Sequence, residues 1–331
     1  MNEATARVLG ALRSASGPCS GEDLSTALGV SRAQIWKHVE QLRKRGYEID
    51  GEPGGGYRLE SIPDRLYPEA IAAHLETRWL AQTIEHLEET DSTNRVANER
   101  AAGGGDHGYT VVAEAQTAGR GRLGRSFFSP PHRNLYSSSI LRPQLDTSAA
   151  PTLIPSAAIA VADTLTEELG SRDGVEIKWP NDLLLGGRKT CGILMEMHAE
   201  DARVGHLVLG IGVNLNSDPS QFPEEFREQA TSLSAFAGRP IDRISFAARL
   251  YSRLEAVLDE HARGGFARLR PRYEDYFQMS GRRVGVVQMD GSQWGGVAAG
   301  VDDEGMLLVD REDGVRARVV AGDVTLAKDI R

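Results

Sequence analysis

The densest chemistry in the chain lies in Gly119-Arg120-Gly121-Arg122-Leu123-Gly124-Arg125, with Gln116 just upstream. Glycines at this spacing let a backbone bend and approach a ligand closely. The interleaved arginines offer fixed charge and planar donor forks that fit carboxylate or phosphate. Ordering such a loop is costly, which predicts that it orders around an anion. No Gly-Lys-Ser/Thr follows, so the run is not a P-loop, and its glycine spacing does not fit a dinucleotide-binding fingerprint. By composition alone a flexible surface loop is an equal reading.

Three other segments carry candidate groups. In Lys178-Trp179-Pro180-Asn181-Asp182, Pro180 cannot donate to a ladder and so ends a strand. Asn181 and Asp182 are ordinary turn formers, but a carboxylate at a strand end could also bind magnesium or accept a proton. Lys189 shares the alternation phase of Cys191, Ile193 and Met195. Its side chain is therefore expected on the core side, where it needs an anionic partner. Gly210-Ile211-Gly212-Val213-Asn214 ends another strand, as a bulge or as a place where a flat ring meets the backbone. Cys191 reads as a small core residue, and the eight histidines form no ligand pattern.

Three regions must position these groups. Up to about residue 62, Ser20 and the Ser31/Gln34 capping-box spacing start two short helices separated by Gly29-Val30. Such a pair reads as a helix-turn-helix, followed by a hairpin "wing" around Pro53-Gly54-Gly55-Gly56. Arg32, Gln34, Lys37 and Gln41 lie away from the apolar Ile35 face and suit DNA contact, or else form a solvated face. Residues 63–278 alternate helix and strand: helices over 153–169 and 244–261, strands over 175–178, 182–185, 191–197 and 206–214. The Gly186-Gly187 hairpin argues for an α+β fold with a partly antiparallel sheet. Residues 279–331 read as short strands of a small barrel, punctuated by Asp290-Gly291, Glu304-Gly305 and Asp313-Gly314.

Composition bounds the options. The chain has 331 residues, is 40% apolar and 26% charged, and carries a formal charge of -9. General attraction to DNA or anionic membrane is not expected, so nucleic-acid contact must come from a local patch. Cys19 and Cys191 are the two cysteines, too few and too far apart for a disulfide framework. No apolar run reaches bilayer-spanning length and no signal segment opens the chain, which leads us to expect a cytoplasmic protein and no membrane partner.

Together these segments resemble the bacterial bifunctional biotin protein ligases that double as biotin operon repressors. The carrying pieces are Asp91-Ser92-Thr93-Asn94, Gln116 through Arg125, Lys178 through Asp182, Arg188-Lys189 with Gly192-Ile193-Leu194, and Gly210 through Asn214. Each is weak alone, whereas their order and spacing are specific. Ser31-Arg32-Ala33, Lys37-His38 and the Gly-rich wing resemble the repressor-type members.

The resemblance implies a multidomain α+β protein. It would have a winged helix-turn-helix (1–62), a mixed-sheet catalytic domain related to class II aminoacyl-tRNA synthetases (63–278) and an SH3-like β-barrel (279–331). It implies ATP and biotin as substrates, Mg2+ as cofactor, and the biotin carboxyl carrier protein of acetyl-CoA carboxylase as partner. Operator DNA and a homodimer in the liganded state are implied as well. Residue by residue, it assigns biotin to Ser92, Thr93, Asn94, Gln116, Arg120, Gly121, Arg122, Lys189 and Gly192. It assigns ATP and the adenylate to Arg122, Arg125, Phe127, Asn181, Lys189, Gly212 and Asn214, with Phe127 as the wall for the adenine. Arg120, Arg122, Lys189 and Asp182 would be catalytic, and Asp182 would also meet the metal. A non-catalytic biotin-sensing regulator and a lipoate-specific enzyme are the competing readings.

Overall fold

The computed structural model describes residues 1, 3–52, 55–200, 202–288, 291–320 and 322–326. Pro53 and Gly54 of the expected wing turn, Asp290 of the expected turn in the last region, and residues 327–331 lie outside them. The chain divides into two units, Met1–Arg65 and Leu66–Arg331.

The first unit holds helices α1 (Glu3–Ser14), α2 (Gly21–Leu28) and α3 (Arg32–Lys44), then an antiparallel hairpin of β1 (Glu48–Glu52) and β2 (Gly56–Ser61). Ser20 caps α2 by accepting from Asp23 N at 3.0 Å, and Gly29, at φ 67°, ends it in the left-handed region that glycine tolerates. Ser31 and Gln34 form the reciprocal capping box at the start of α3. Ile35, Val39 and Leu42 recur at helical spacing and are fully buried with Val8, Leu9 and Leu24.

The second unit runs α4 (Pro68–Ala72), β3 (Ile84–Leu87), α5 (Thr93–Ala102), β4 (Thr110–Ala113), β5 (Leu135–Leu141), α6 (Leu153–Leu169), β6 (Val175–Lys178), β7 (Asp182–Leu185), β8 (Arg188–Glu200) and β9 (Arg203–Val213). Then come α7 (Glu224–Arg227), α8 (Leu233–Ala237), α9 (Arg243–Glu274), β10 (Arg283–Val287), β11 (Gln293–Val301), β12 (Leu307–Arg311), β13 (Arg316–Val319) and β14 (Asp323–Leu326). A seven-stranded sheet has the order β3-β4-β5-β9-β8-β7-β6. In this sheet β3 and β4 pair in parallel, and the other neighbouring strands pair antiparallel. The last five strands form an antiparallel sheet, β13-β12-β11-β10-β14. The helix expected over 244–261 runs on to the kink at Gly265, and a second helical stretch carries α9 to Glu274. Gly265 breaks it locally, at φ 64° and ψ -172°, before the buried face resumes at Phe266, Leu269 and Tyr273.

Period-two alternation sorts the central sheet. Leu207, Leu209, Ile211 and Val213 of β9 join α6 and α9 in one large apolar core. Val208 faces the opposite side, with Val96 and Ala97 of α5. Gly210 and Gly212 share its phase and leave that face open. The large core also takes in Val284, Leu307, Val309 and Val324, so the C-terminal sheet is packed against the central one.

Candidate active site

The open face of β8 and β9 is floored by glycine. A Cβ on Gly212 would stand 2.8 Å from Phe127 Cε1, and one on Gly210 would stand 2.1 Å from Asn94 Oδ1. The missing side chains let Phe127 and Asn94 lie directly on the sheet. Above this floor is a cavity of about 790 Å³, within the usual range for small-molecule sites. Every residue that the family resemblance assigned to biotin, ATP or catalysis lines it.

One group of lining residues is polar and uncharged: Ser92, Thr93, Asn94 and Gln116. Ser92 is the N-cap of α5 and makes no side-chain cap bond. Thr93 N and Oγ1 donate to Gln116 Oε1 at 2.9 and 3.2 Å, and Gln116 Nε2 donates to Ser129 Oγ at 3.0 Å. Ser138 Oγ bridges Thr93 Oγ1 (2.7 Å) and Asn94 Oδ1 (2.6 Å). Gln116 therefore anchors the start of α5, an engagement its sequence context did not announce. Asn94 Nδ2 and Asn98 Nδ2 both donate to Glu196 Oε2, at 2.9 and 3.0 Å.

A second group of lining residues is cationic. The Gly/Arg run folds back on itself: Gly121 N donates to Arg125 O at 2.7 Å and Phe127 N to Gly119 O at 2.8 Å. Arg120 Nη1 lies 3.8 Å from Glu196 Oε1. Arg122 Nη1 donates to Asn181 Oδ1 at 3.3 Å, and burial lowers the Arg122 guanidinium from its usual value. Asn181 Nδ2 in turn donates to Ile193 O at 2.7 Å, which fixes its orientation.

Lys189 corrects the alternation argument. Leu183 pairs with Cys191 but Leu184 pairs with Lys189, so Thr190 is an extra residue on β8. This bulge reverses the phase: Cys191 points into the core, while Lys189 joins Gly192 on the cavity side, where a Gly192 Cβ would be 3.4 Å from Lys189 Cε. The expected anionic partner is present, since Lys189 Nζ is 2.6 Å from Asp182 Oδ1. Asn214 Nδ2 donates to Thr231 O at 3.2 Å, whereas its buried Oδ1 accepts no hydrogen bond.

Among the described residues no group of three or more His, Cys, Asp or Glu could hold a metal ion. Asp182 with Asn181 is the donor set beside the cationic group. One carboxylate is what Mg2+ takes when phosphate oxygens and water complete its shell, so these residues fit a magnesium that arrives with a triphosphate.

Sequence reasoning gave no role to Trp179 and missed Asp323, Thr325, Glu114 and Arg243, because nothing local announces them. Trp179 is buried, and its Nε1 donates to Gly305 O of the C-terminal sheet at 3.0 Å. Asp323 and Thr325 of β14 line the cavity. Behind it, the fully buried Glu114 and Arg243 pair at 2.9 Å. Burial pushes the Glu114 carboxyl upward, but the His86 hydrogen bond, the Arg243 charge and the Leu66 N–H outweigh it and hold it at about 2. These groups are 129 residues apart in the chain, beyond the reach of any spacing rule.

On α3 of the first unit, Arg32 and Lys37 are exposed. Gln34 and Gln41 are more committed than expected. Gln34 Oε1 accepts from Ser31 N at 2.8 Å as part of the cap, and Gln41 Oε1 accepts from Thr5 Oγ1 at 2.8 Å. Trp36 is 54% exposed. Among the described residues no helix is long and apolar enough to cross a membrane.

Residues 87–214 match the biotin/lipoate A/B protein ligase family, residues 5–58 an HTH domain, and residues 279–326 the biotin protein ligase C terminal domain. The chain is 38% identical over 307 residues to the bifunctional ligase/repressor BirA of Bacillus subtilis (strain 168), covering 93% of each protein. It is 34% identical over 307 residues to the protein of that name from Escherichia coli (strain K12), covering 93% of this chain and 92% of that one. A solved structure of the biotin protein ligase from Aquifex aeolicus in complex with biotin and ATP is similar with a TM-score of 0.63 and 25% identity, covering 75% of this chain and 99% of that one.

Proposed function

This chain belongs to the bifunctional biotin ligase/repressor family, and we infer that it activates biotin with ATP to biotinyl-5'-AMP and transfers biotin to a lysine of a carboxyl carrier domain. The carrying observation is the glycine-floored cavity, lined by the hydrogen-bonding Ser92, Thr93, Asn94 and Gln116 and by the cationic Arg120, Arg122, Arg125, Lys178 and Lys189. The uncharged group suits the ureido head of biotin, and the cationic group suits the meeting of two anions.

In the first step the biotin carboxylate attacks the α-phosphorus of ATP and pyrophosphate leaves. Arg120, Arg122 and Lys189 offset the repulsion and the charge that develops on the phosphoryl oxygens. Phe127, whose ring lies against Gly212, would form the wall for the adenine, and Asn214 also lines this cavity. Asp182 and Asn181 would hold Mg2+ together with the phosphates, and the ion would supply further charge neutralisation. In the second step the carrier lysine amine attacks the acyl carbon and AMP leaves. A lysine of ordinary pKa, about 10.4, is mostly protonated at neutral pH, and Asp182 would take its proton. No enzyme nucleophile is required.

For the repressor half, Arg32 and Lys37 are the groups we assign to operator DNA, with Gln34 and Gln41 on the same face. The liganded protein is taken to dimerise, and the site of action to be the cytoplasm. Residues 1–62, 63–278 and 279–331 are assigned as winged helix-turn-helix, ligase domain related to class II aminoacyl-tRNA synthetases, and SH3-like domain. The deciding experiment is transfer of labelled biotin to a purified carrier domain with and without ATP, alongside pyrophosphate release. Absence of both would reject the ligase reading in favour of a non-catalytic sensor.

A further inference from the structure

Glu196 touches two of the residues assigned to biotin without lining the cavity itself. On β8, Gly192, Leu194 and Glu196 alternate onto one face, where they pair with Gly212, Gly210 and Val208 of β9. Glu196 therefore stands one step beyond the Leu194–Gly210 pair. Its opposite residue, Val208, packs against Val96 and Ala97 of α5. Whatever this carboxylate does for a ligand in the cavity, it does through other side chains.

Its two oxygens serve different neighbours. Oε2 accepts from Asn94 Nδ2 at 2.9 Å and from Asn98 Nδ2 at 3.0 Å, one helical turn apart on α5. Oε1 lies 3.8 Å from Arg120 Nη1, the one ion pair that Arg120 makes among the described residues. A carboxylate accepts and does not donate, so it turns the Asn94 amide with Nδ2 towards itself and Oδ1 away. Leu194 O, at 3.4 Å from the same Nδ2, favours that orientation more weakly. Asn94 Oδ1 is then free to accept from Ser138 Oγ at 2.6 Å, and Ser138 Oγ also meets Thr93 Oγ1 at 2.7 Å. Asn94 and Ser138 are buried. A reversed amide there would set its oxygen against the carboxylate and leave buried groups unpaired.

We propose that Glu196 is a positioning residue for biotin: it fixes the orientation of the Asn94 amide and supplies the counter-charge that holds Arg120 beside it. This rests on the reading of the cavity as the site where biotin is activated. One carboxylate outside the cavity thereby joins α5 to the Gly/Arg loop. Its loss falls on biotin and not on ATP, because Arg122, Arg125 and Asn181, assigned to the nucleotide, have their hydrogen-bond partners elsewhere.

The test uses the full chain with Glu196→Ala, Glu196→Gln, Asn94→Ala and the double variant Glu196→Ala with Asn94→Ala. Biotin-dependent exchange of pyrophosphate into ATP is measured as a function of each substrate, biotin binding without ATP is measured by calorimetry, and Tm is followed in parallel. Glu196→Ala is expected to raise the biotin KM and Kd about tenfold, as suits the loss of hydrogen bonds to a charged group, with the ATP KM within about twofold. Glu196→Gln keeps an acceptor for Asn94 but no charge for Arg120, so its rise should be about threefold, in the range of a partly exposed ion pair. The double variant should lose less than the product of its two single losses, because the two groups belong to one network. An unaltered biotin Kd in Glu196→Ala would overturn the proposal, and so would single losses that multiply fully. A fall in Tm with equal losses for both substrates would also overturn it, by making Glu196 a tie between helix and sheet. A wild-type protein that binds biotin but exchanges no pyrophosphate would sink the ligase reading while the calorimetry still decides the role of Glu196; one that binds no biotin would overturn both.

Discussion

Replacing Gly212 by alanine should cost ATP affinity and little else. Gly212 sits between Gly192 on β8 and Tyr136 on β5. An added Cβ would stand 2.8, 2.9 and 3.3 Å from three atoms of the Phe127 ring, where ordinary contact begins at 3.4 Å. The ring must therefore retreat by roughly 0.6 Å or swing away, since no carbon pair tolerates such approach. Phe127 is only half-buried, so the fold absorbs this cheaply. Removing a glycine from a strand also favours folding by about 0.4–1 kcal/mol where its conformation is ordinary. What is lost is the adenine's stacking surface. Stacking of a base on an aromatic ring is worth about 1–3 kcal/mol, so the KM for ATP should rise about 5- to 150-fold. Biotin binding by calorimetry should stay within about twofold, because the residues assigned to it are untouched. Gly192→Ala is the control: its nearest contacts would all be 3.4 Å, and the ATP effect should be far smaller. If Gly212→Ala has the wild-type KM for ATP, or loses biotin as strongly as ATP, Phe127 is not the nucleotide wall.

Other substitutions test other parts of the argument. Lys189→Ala should slow adenylation about 10²- to 10³-fold, the cost of one preorganised donor to developing charge; near-normal single-turnover rates would remove Lys189 from the mechanism. Arg243→Met should destabilise the protein by roughly 3–5 kcal/mol in urea titrations because it strands the buried Glu114 carboxylate, and adding Glu114→Leu should restore much of the loss; a double variant no better than the single would argue against the pair. The Glu114 carboxyl is depressed from 4.5 to about 2, so its stabilisation is complete above about pH 4.5 and is lost as pH falls towards 2. Urea stability that stays level across that interval would contradict the assignment. Lys37→Ala should weaken operator binding, reduce the salt slope by about 1 and leave adenylation intact; an unchanged slope would take Lys37 off the DNA.

Much of the local architecture is written in short-range signals. Ser20, Ser31 and Gly29 announce the ends of α2 and α3, because capping satisfies backbone groups within one turn. Gly186-Gly187 announces the β7–β8 hairpin. The helix over 244–261 was legible from its apolar spacing, while the second stretch of α9 beyond the Gly265 kink, with Phe266, Leu269 and Tyr273 buried, was not anticipated. Lys189 was misdirected because a bulge is a property of two paired strands, and the Thr190 step exists only against β7. Gln34 and Gln41 looked free for DNA, yet each has an oxygen engaged, one in a cap and one across to α1.

The sequence by itself determined which groups are available: a loop rich in glycine and arginine, a lysine and an aspartate near strand ends, glycines on two strands, and the order of motifs that marks the family. Only the tertiary structure decided what they form together. The sheet order β5-β9-β8-β7 stacks Gly212 beside Gly192 and brings Lys189 onto Asp182. The packed C-terminal sheet carries Asp323 to Arg125 across 198 residues of chain. Spacing rules describe neighbours along one element, whereas these contacts arise when separate elements bury a common core, and it is that burial which sets the cavity's far wall.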